Sequence, residues 1–222
     1  ARDAALLKDR QQLARQGRIL MDGRAVRDTA EKADPEAAEI VVNGEALTYR
    51  RRTWVMLHKP AGVLSATEDG RGVTVLDLLP EELRRQGLFP VGRLDKDTEG
   101  LLLLTNDGAL AHDLLSPRHH VDKIYYVRTA GCLTTEDRDA FAEGMVLPDG
   151  LRCLPAELDI LTAGEESEAL VTLREGKFHQ IKRMLAHQGK PVTYLKRLQM
   201  GNLTLDPELS PGEFRFLTEA EQ

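Results

Sequence analysis

Four consecutive leucines, Leu101–Leu104, form a short apolar run that ends at an Asn-Asp-Gly turn, residues 106–108. An apolar run of this length between turn residues predicts a strand buried on both faces. The charged turn that leads into the run contains Asp95, between Arg93 and Lys96. A carboxylate on a rigid support is a candidate for chemistry. A solvated loop before a core strand is the alternative, and the spacing alone leaves both open.

The charges of the chain are unevenly distributed around a formal net charge of −6. Residues 174–197 hold seven basic residues and one acid, whereas residues 134–168 hold ten acids and two bases. Residues 206–222 hold five acids and one base. Binding follows the local patch and not the sum, because charges more than about 10 Å apart are screened at cellular salt. A basic stripe on an acidic protein is therefore compatible with RNA.

Length and composition narrow the class of protein. A chain of 222 residues can form one large domain or two unequal domains, each with a core. No apolar run approaches the roughly 20 residues that span a bilayer, and no signal peptide is visible, so we expect a cytoplasmic protein without membrane contact. Cys132 and Cys153 lie far apart without C-x-x-C spacing, which favours reduced, buried thiols.

Two short hairpins are predicted near the N-terminus. Asp22-Gly23 and Asn43-Gly44 each separate two short apolar segments, and both dipeptides favour tight hairpin turns with positive φ. A rough helical spacing of apolar residues over 6–14, ending near Gly17, precedes them. These signals predict a compact, β-rich module over residues 1–49, followed by a short polar linker that reaches Thr53.

Four sequence blocks follow one another along the chain: a strand leading into K-P-x-G at 54–63, G-R-L-D and its leucines at 92–108, K-x-Y-x-V at 123–127, and G-K-F-H-Q-I-K at 176–182. Together they resemble the signature blocks of the RsuA/RluB/E/F-type pseudouridine synthases, which isomerise uridine within ribosomal RNA. A lone R-L-D would be weak evidence, whereas four blocks in the right order are specific. The S-P-R-H-H form at 116–120 resembles the small-subunit branch of the family more than the large-subunit branches.

The resemblance implies a reaction that needs no helper molecule. The C1′–N1 bond of uridine breaks, the uracil rotates while it is held, and C5 bonds to C1′. No electrons or phosphate are exchanged, so we expect no cofactor and no metal. One carboxylate suffices, either as a nucleophile at C1′ or as a base at the ribose 2′-hydrogen, and the sequence leaves both routes open.

The resemblance also assigns roles to individual residues. By family position, Asp95 is the catalytic carboxylate, Lys182 is its cationic partner and Tyr125 stacks against the target uracil. Lys59 and Arg93 are second choices for the cation beside Asp95. Arg93 is expected to enter the RNA in place of the extruded base. Its planar guanidinium can stack on neighbouring bases, and its paired N–H groups can bind phosphate. Further contacts with the uracil or the RNA are expected from Ile181, Lys59, His179, Arg183, Arg118 and Lys196.

Periodicity adds expectations about the segments that carry these residues. Helical spacing places Phe178 on one helix face with Ile181 and Leu185. His179, Lys182 and Arg183 would then share another face. A later strand is expected to present Lys196 and Arg197 on the RNA side.

The fold class implied is α+β: a mixed, mainly antiparallel catalytic sheet with helices over residues 54–222, preceded by a small S4-like RNA-binding module. The module resemblance lies in G-R-I-L-M-D-G-R-A-V-R-D and V-V-N-G-E-A-L, although the front is shorter than the usual pair of helices. The implied partner of a monomeric enzyme is small-subunit (16S) ribosomal RNA, naked or within a pre-30S particle. The implied target is a uridine of the 516 type.

Alternatives stay open at this point. The same chemistry on a 23S uridine, or an RNA-binding assembly factor that has lost activity, is compatible with much of the pattern. Residues 95–98 also resemble the D-x-D-x-T of aspartyl-phosphate phosphatases, but the threonine comes one residue early and no apolar strand precedes it. His112, His119 and His120 have no further ligand at a useful spacing, which argues against zinc.

Overall fold

A computed structural model describes residues 10–33, 38–47, 52–115 and 121–221. The chain divides between Arg52 and Thr53 into a small and a large compact unit. Among the described residues, no helix has both the length and the apolar character that a membrane crossing requires. Cys153 is buried as expected, whereas Cys132 is exposed, so the prediction of two buried thiols is wrong for Cys132.

The small unit is a four-stranded antiparallel sheet of the order β2-β1-β3-β4. Both predicted hairpins are present, and their turn residues have positive φ, at 52° and 75° for Asp22-Gly23 and 57° and 85° for Asn43-Gly44. Residues 10–15 lie in helix α1, and the earlier part of the predicted helix falls outside the described residues. The strands are β1 (Ile19–Met21), β2 (Arg24–Ala25), β3 (Ile40–Val42) and β4 (Glu45–Leu47).

The large unit combines one long mixed sheet with short helices. Its helices are α2 (Glu81–Arg84), α3 (Gly108–Leu115), α4 (Thr135–Glu143) and α5 (Gln180–His187), with a 3₁₀ turn at Glu219–Glu221. Its strands are β5 (Trp54–Lys59), β6 (Phe89–Val91), β7 (Glu99–Thr105), β8 (Lys123–Ala130), β9 (Met145–Val146), β10 (Arg152–Cys153), β11 (Glu157–Thr162), β12 (Glu166–Leu173), β13 (Val192–Met200), β14 (Leu203–Thr204) and β15 (Phe214–Phe216).

The long sheet has the order β11-β12-β8-β13-β7-β5-β15, and only its β13–β7 pair is parallel among the described strands. The predicted mixed, mainly antiparallel sheet is therefore confirmed. The leucine run forms most of β7, and all four leucines have no exposed surface. Leu102 and Leu104 belong to the apolar core on one face of the sheet, and Leu101 and Leu103 to the core on the other. The strand is buried on both faces, as predicted.

Gly100, at the start of β7, is required by the parallel pair. Its φ is 104°, and a Cβ built there would lie 2.2 Å from the carbonyl oxygen of Arg197 on β13. Only glycine lets the two backbones approach so closely. This contact fixes β13 beside the beginning of β7, and so beside the turn that holds Asp95.

Proline and a polar cap set the bounds of several short elements in the large unit. Residues 75–79 form turns, and α2 begins only after Pro80. Strands β10 and β11 are separated by a segment that contains Pro155. Proline has no amide hydrogen for a strand ladder, which explains the interruption. Helix α4 begins after Thr134, which forms a capping box with Asp137.

Candidate active site

Asp95 lies in the turn between β6 and β7, and the backbone of this turn is fixed. The Ser65 hydroxyl donates to the Leu94 carbonyl at 2.9 Å and accepts from the Leu94 amide at 3.1 Å. Leu94 is buried, so the residue before Asp95 is anchored in the core. The Asp95 carbonyl accepts the Thr98 amide at 3.1 Å, which closes the turn. The carboxylate is thus held on a rigid support, as the position of the leucine strand indicated.

Lys59, at the end of β5, lies beneath this turn and is fully buried. Its ammonium donates to the carbonyl oxygens of Pro60 at 3.0 Å, Lys96 at 3.2 Å and Thr98 at 2.8 Å. Burial lowers the pKa of Lys59 to about 8. The expected contact of Lys59 with RNA is therefore wrong. The side chain has no exposed surface, and its ammonium holds the backbone of the turn instead.

Lys182, on α5, bridges two carboxylates. Its Nζ lies 2.9 Å from Oδ2 of Asp95 and 2.5 Å from Oδ1 of Asp97. Burial lowers the pKa of Lys182, but the hydrogen bonds and the negative charges of Asp97 and Asp95 together raise it above its ordinary value. The Lys182 hydrogen bond also lowers the pKa of Asp97. The fold thus brings together Asp95 and Lys182, the pair proposed from family position.

The segment before α5 differs from the helical expectation. The helix begins at Gln180, and His179 has a left-handed backbone with φ 51° and ψ 33°. Phe178 therefore does not extend the helix face of Ile181 and Leu185. Those two residues are buried, whereas Phe178 is 73% exposed. The predicted face is wrong at Phe178 because helical spacing was carried beyond the first residue of the helix. His179 instead places Nε2 3.5 Å from Oδ1 of Asp95.

A cavity of about 80 Å³ opens between the Asp95 turn, β8 and α5. Asp95 supplies a carboxylate to it, and Tyr125 supplies a mostly buried aromatic ring. Apolar side chains complete its walls, among them Ile181, Leu173 and Leu195. A flat, uncharged ring can therefore be held against Tyr125 while a reacting sugar lies near the carboxylate.

Two larger cavities adjoin this candidate catalytic cavity, one of about 410 Å³ and one of about 450 Å³. All three share Arg93, Gly176 and Lys177 in their walls. Because they share these wall residues, the three cavities form one trench, and Asp95 lines two of them. Arg93 is exposed and makes no hydrogen bond or ion pair with any residue that the structure describes, so its guanidinium is available to a ligand.

Comparison with known proteins agrees with this geometry. The family model described as RNA pseudouridylate synthase matches residues 53–187, which include Asp95, Tyr125 and Lys182. The chain belongs to this family. It is an RNA pseudouridine synthase, an isomerase.

Similar proteins support this membership along nearly the whole chain. The uncharacterized RNA pseudouridine synthase YtzG of Bacillus subtilis is 47% identical, over 96% of this chain and 90% of that protein. Ribosomal small subunit pseudouridine synthase A of Vibrio cholerae is 39% identical, over 96% of this chain and 91% of that protein. A crystal structure of a pseudouridylate synthase has a TM-score of 0.72 and 34% identity, and covers 96% of this chain and 91% of that chain.

Several residues for which RNA contacts were expected do not line the trench of this pseudouridine synthase, or are buried in its wall. Arg183 pairs with Asp149 at 2.5 Å and does not line the trench. Lys196 and Arg197 alternate along β13, so they point to opposite faces of the sheet. Arg197 is on the trench side but is buried and donates to the Leu101 carbonyl at 2.7 Å. Only Arg197 therefore faces the trench, and the expectation that both residues face it is wrong. Arg118 lies outside the described residues.

Two residues that the sequence analysis missed support the site. Gln180 is buried; its Oε1 accepts the Lys177 amide at 3.0 Å, and its Nε2 donates to Oε1 of Glu175 at 2.6 Å. It therefore fixes the trench wall around Gly176. Thr98 lines the catalytic cavity, and its buried hydroxyl has no hydrogen-bond partner among the described residues. A polar residue inside a signature block was the available signal for both. Within the same described residues, no group of three His, Cys, Asp or Glu side chains is placed to hold a metal.

Proposed function

We propose that this RNA pseudouridine synthase isomerises a uridine of small-subunit (16S) ribosomal RNA, of the uridine-516 type, with Asp95 as the catalytic carboxylate. The observation that carries the proposal is the Asp95–Lys182 ion pair at 2.9 Å, with Asp95 in the cavity that Tyr125 also lines. One activated acid and one aromatic ring are the groups that the rearrangement requires.

The chemistry follows from the position of Asp95. Its side chain is 25% exposed and ion-paired, so the carboxylate is stabilised while much of the water is excluded. It acts either as a nucleophile at C1′ or as a base at the ribose 2′-hydrogen, and either route releases the uracil from C1′. The uracil rotates and C5 bonds to C1′, which breaks the Asp95–C1′ bond on the nucleophile route or is accompanied by return of the proton to C2′ on the base route. The C5 proton then leaves and N1 gains a proton.

The remaining contacts are proposed from the walls of the catalytic cavity. Tyr125 stacks on the uracil and leaves it free to turn in its plane, and Ile181 packs against the base. The target nucleotide must leave its stack to reach this cavity, at a cost of about a few kcal/mol. Arg93 enters the vacated position, since it is exposed at the junction of the three cavities.

The small-subunit target is supported by the curated relatives. Proteins of Vibrio cholerae and Pseudomonas aeruginosa that bear the name ribosomal small subunit pseudouridine synthase A are 39% and 40% identical to this chain. We propose the same class of target here, recognised by a cytoplasmic monomer. The small unit contributes RNA contacts through exposed arginines such as Arg15 and Arg27.

Pseudouridine mapping tests the proposal directly. Ribosomal RNA from the source organism is compared with RNA from a strain that lacks the gene, and with strains that carry the wild-type gene or the Asp95→Asn variant. We expect one 16S pseudouridine to disappear, to return with the wild type, and to stay absent with Asp95→Asn. Loss of a 23S position instead would reassign the target. An unchanged map would contradict the proposal and favour an inactive assembly factor.

A further inference from the structure

Phe178 is an exposed aromatic residue at the edge of the catalytic trench. The residue is 73% exposed, the highest value among the exposed large apolar residues of the described chain. Its ring stacks on the imidazole of His179, with centroids 3.8 Å apart and planes 19° from parallel. One face of the ring is thus occupied by His179, while the exposed remainder is open to a flat ligand.

The backbone holds this stacked pair in place. His179 has φ 51° and ψ 33°, a left-handed conformation that a non-glycine residue adopts at a cost and that is concentrated at functional sites. The buried Gln180, which follows His179, is hydrogen-bonded to Lys177 and Glu175. The two rings therefore sit on a fixed support rather than on a free loop.

The surroundings of the pair fit RNA. Phe178 and His179 line the adjoining cavity of about 450 Å³, which also contains Asp95 and Arg93. The other charged groups in its walls are Lys96, Lys177 and Asp69, so cations outnumber acids there. An aromatic surface beside cations, continuous with the catalytic cavity, matches the combination by which proteins hold single-stranded nucleic acid.

We propose that Phe178, supported by His179, is a stacking site for the unpaired nucleobase next to the target uridine. The inference rests on the proposed function, because the strand must enter the trench for the neighbouring base to reach the ring. Extruding one nucleotide removes a stacking partner from its neighbours. An aromatic side chain can stack on the neighbouring base in place of the extruded one. It accepts either a purine or a pyrimidine, because stacking needs no base-specific hydrogen bonds.

The test is a thermodynamic cycle between the protein and the RNA. Binding of fluorescein-labelled RNA heptamers with a central uridine is measured by anisotropy for wild type and for Phe178→Ala. Matching heptamers carry an abasic site, which keeps the backbone and removes the base, at one flanking position at a time. We expect Phe178→Ala to weaken binding by roughly 5- to 150-fold. Removing one particular flanking base should weaken wild-type binding similarly and leave binding by Phe178→Ala nearly unchanged.

Matched variants separate stacking from a structural role. Phe178→Trp keeps a ring and should restore the dependence on the flanking base. Phe216→Ala removes another exposed phenylalanine, outside these cavities, and should behave as wild type. Because Phe178 is exposed, thermal unfolding of Phe178→Ala should match that of the wild type.

The outcomes also distinguish this inference from the proposed function. If the removal of each flanking base weakens RNA binding by the wild type and by Phe178→Ala equally, the stacking site is overturned, even if the wild type forms pseudouridine. A dependence on one flanking base that disappears in Phe178→Ala would support the site, even if rRNA mapping shows no modification by the wild type. Unchanged binding by Phe178→Ala to every heptamer would also overturn it.

Discussion

Asp95 and Asp97 share one lysine, Lys182, yet the two carboxylates have different surroundings. The side chain of Asp95 is 25% exposed and lines the catalytic cavity, whereas that of Asp97 is 76% exposed and lines none of the three cavities. Both contact Nζ of Lys182. The difference in exposure supports our proposal that Asp95 performs the chemistry and makes Asp97 a natural comparison.

At the same residue scale, the Tyr125 hydroxyl can be tested apart from its ring. The ring lines the catalytic cavity, and the hydroxyl makes no hydrogen bond with the described residues. We expect Tyr125→Phe to bind RNA normally and to lower kcat by about 100-fold, because a positioned proton donor or acceptor is lost. Single-turnover kinetics with saturating enzyme measure this. An unchanged rate would leave stacking as the only role of the tyrosine.

The sequence predicted some residues of the site and missed others for identifiable reasons. Asp95 and Lys182 lie far apart in sequence, and only the family resemblance paired them. Lys59 was misplaced because a lysine in a turn block normally points to solvent, whereas three backbone carbonyls draw this one inward. Phe178 was misplaced because periodicity does not show where a helix begins when the preceding residue is left-handed.

At the scale of elements, the parallel pair of β7 and β13 determines where the turn lies. Gly100→Ala would place a Cβ 2.2 Å from the Arg197 carbonyl oxygen, at a φ of 104°. We expect the free energy of unfolding to fall by about 3 kcal/mol, because both overpacking and backbone strain result. Urea denaturation measures it. Gly70→Ala is the control, because a Cβ at Gly70 meets no atom within 4 Å, and it should change stability little. An equal loss of stability in both variants would contradict the close contact of Gly100 with Arg197 as the cause.

The buried Lys59 connects β5 to the same turn and predicts a pH effect. Burial lowers its pKa from 10.5 to about 8 in the folded state. Below about pH 8 Lys59 is protonated in both the folded and the unfolded state. Between about pH 8 and 10.5 the unfolded state binds more protons than the folded state, so Lys59 makes the free energy of unfolding rise with pH. The rise is at most about 3 kcal/mol.

The measurement is urea unfolding from pH 7 to 10.5 for wild type, Lys59→Met and Lys96→Met. We expect the stability of the wild type to rise with pH relative to Lys59→Met. Lys96→Met removes an exposed lysine from the same turn and should keep the wild-type dependence. Parallel pH profiles for wild type and Lys59→Met would show that the buried ammonium carries no such linkage.

Local signals in the sequence predicted most elements, and non-local contacts account for the rest. The two Gly-containing turns and the leucine run specify hairpins and a core strand by local chemistry alone. The position of β13 beside β7 depends on a backbone contact between Gly100 and Arg197, which no periodicity reveals. The S4-like nature of the small unit stays a prediction, since a four-stranded sheet by itself does not define its function.

At the scale of the whole molecule, a net charge of −6 coexists with a trench whose shared walls carry Arg93 and Lys177. We expect RNA binding to weaken steeply with salt, because phosphate contacts release counterions. Arg93→Ala should reduce the magnitude of the slope of log K against log salt by about 1.

Filter binding over a salt series measures this slope. Arg138→Ala removes an arginine on α4 that pairs with Asp139, and it should keep the wild-type slope. A flat salt profile for the wild type would contradict recognition through phosphates. An Arg93→Ala slope equal to that of the wild type would remove Arg93 from the RNA contact.

The central claim is that the Asp95 carboxylate, and no other, performs the isomerisation. The direct measurement is pseudouridine formation in 16S RNA by Asp95→Asn and Asp97→Asn, both of which keep the size of the side chain near Lys182. We expect Asp95→Asn to lose activity by about 10³-fold or more while RNA affinity stays within a few fold, and Asp97→Asn to remain active. Turnover by Asp95→Asn at a rate near that of Asp97→Asn would contradict the claim.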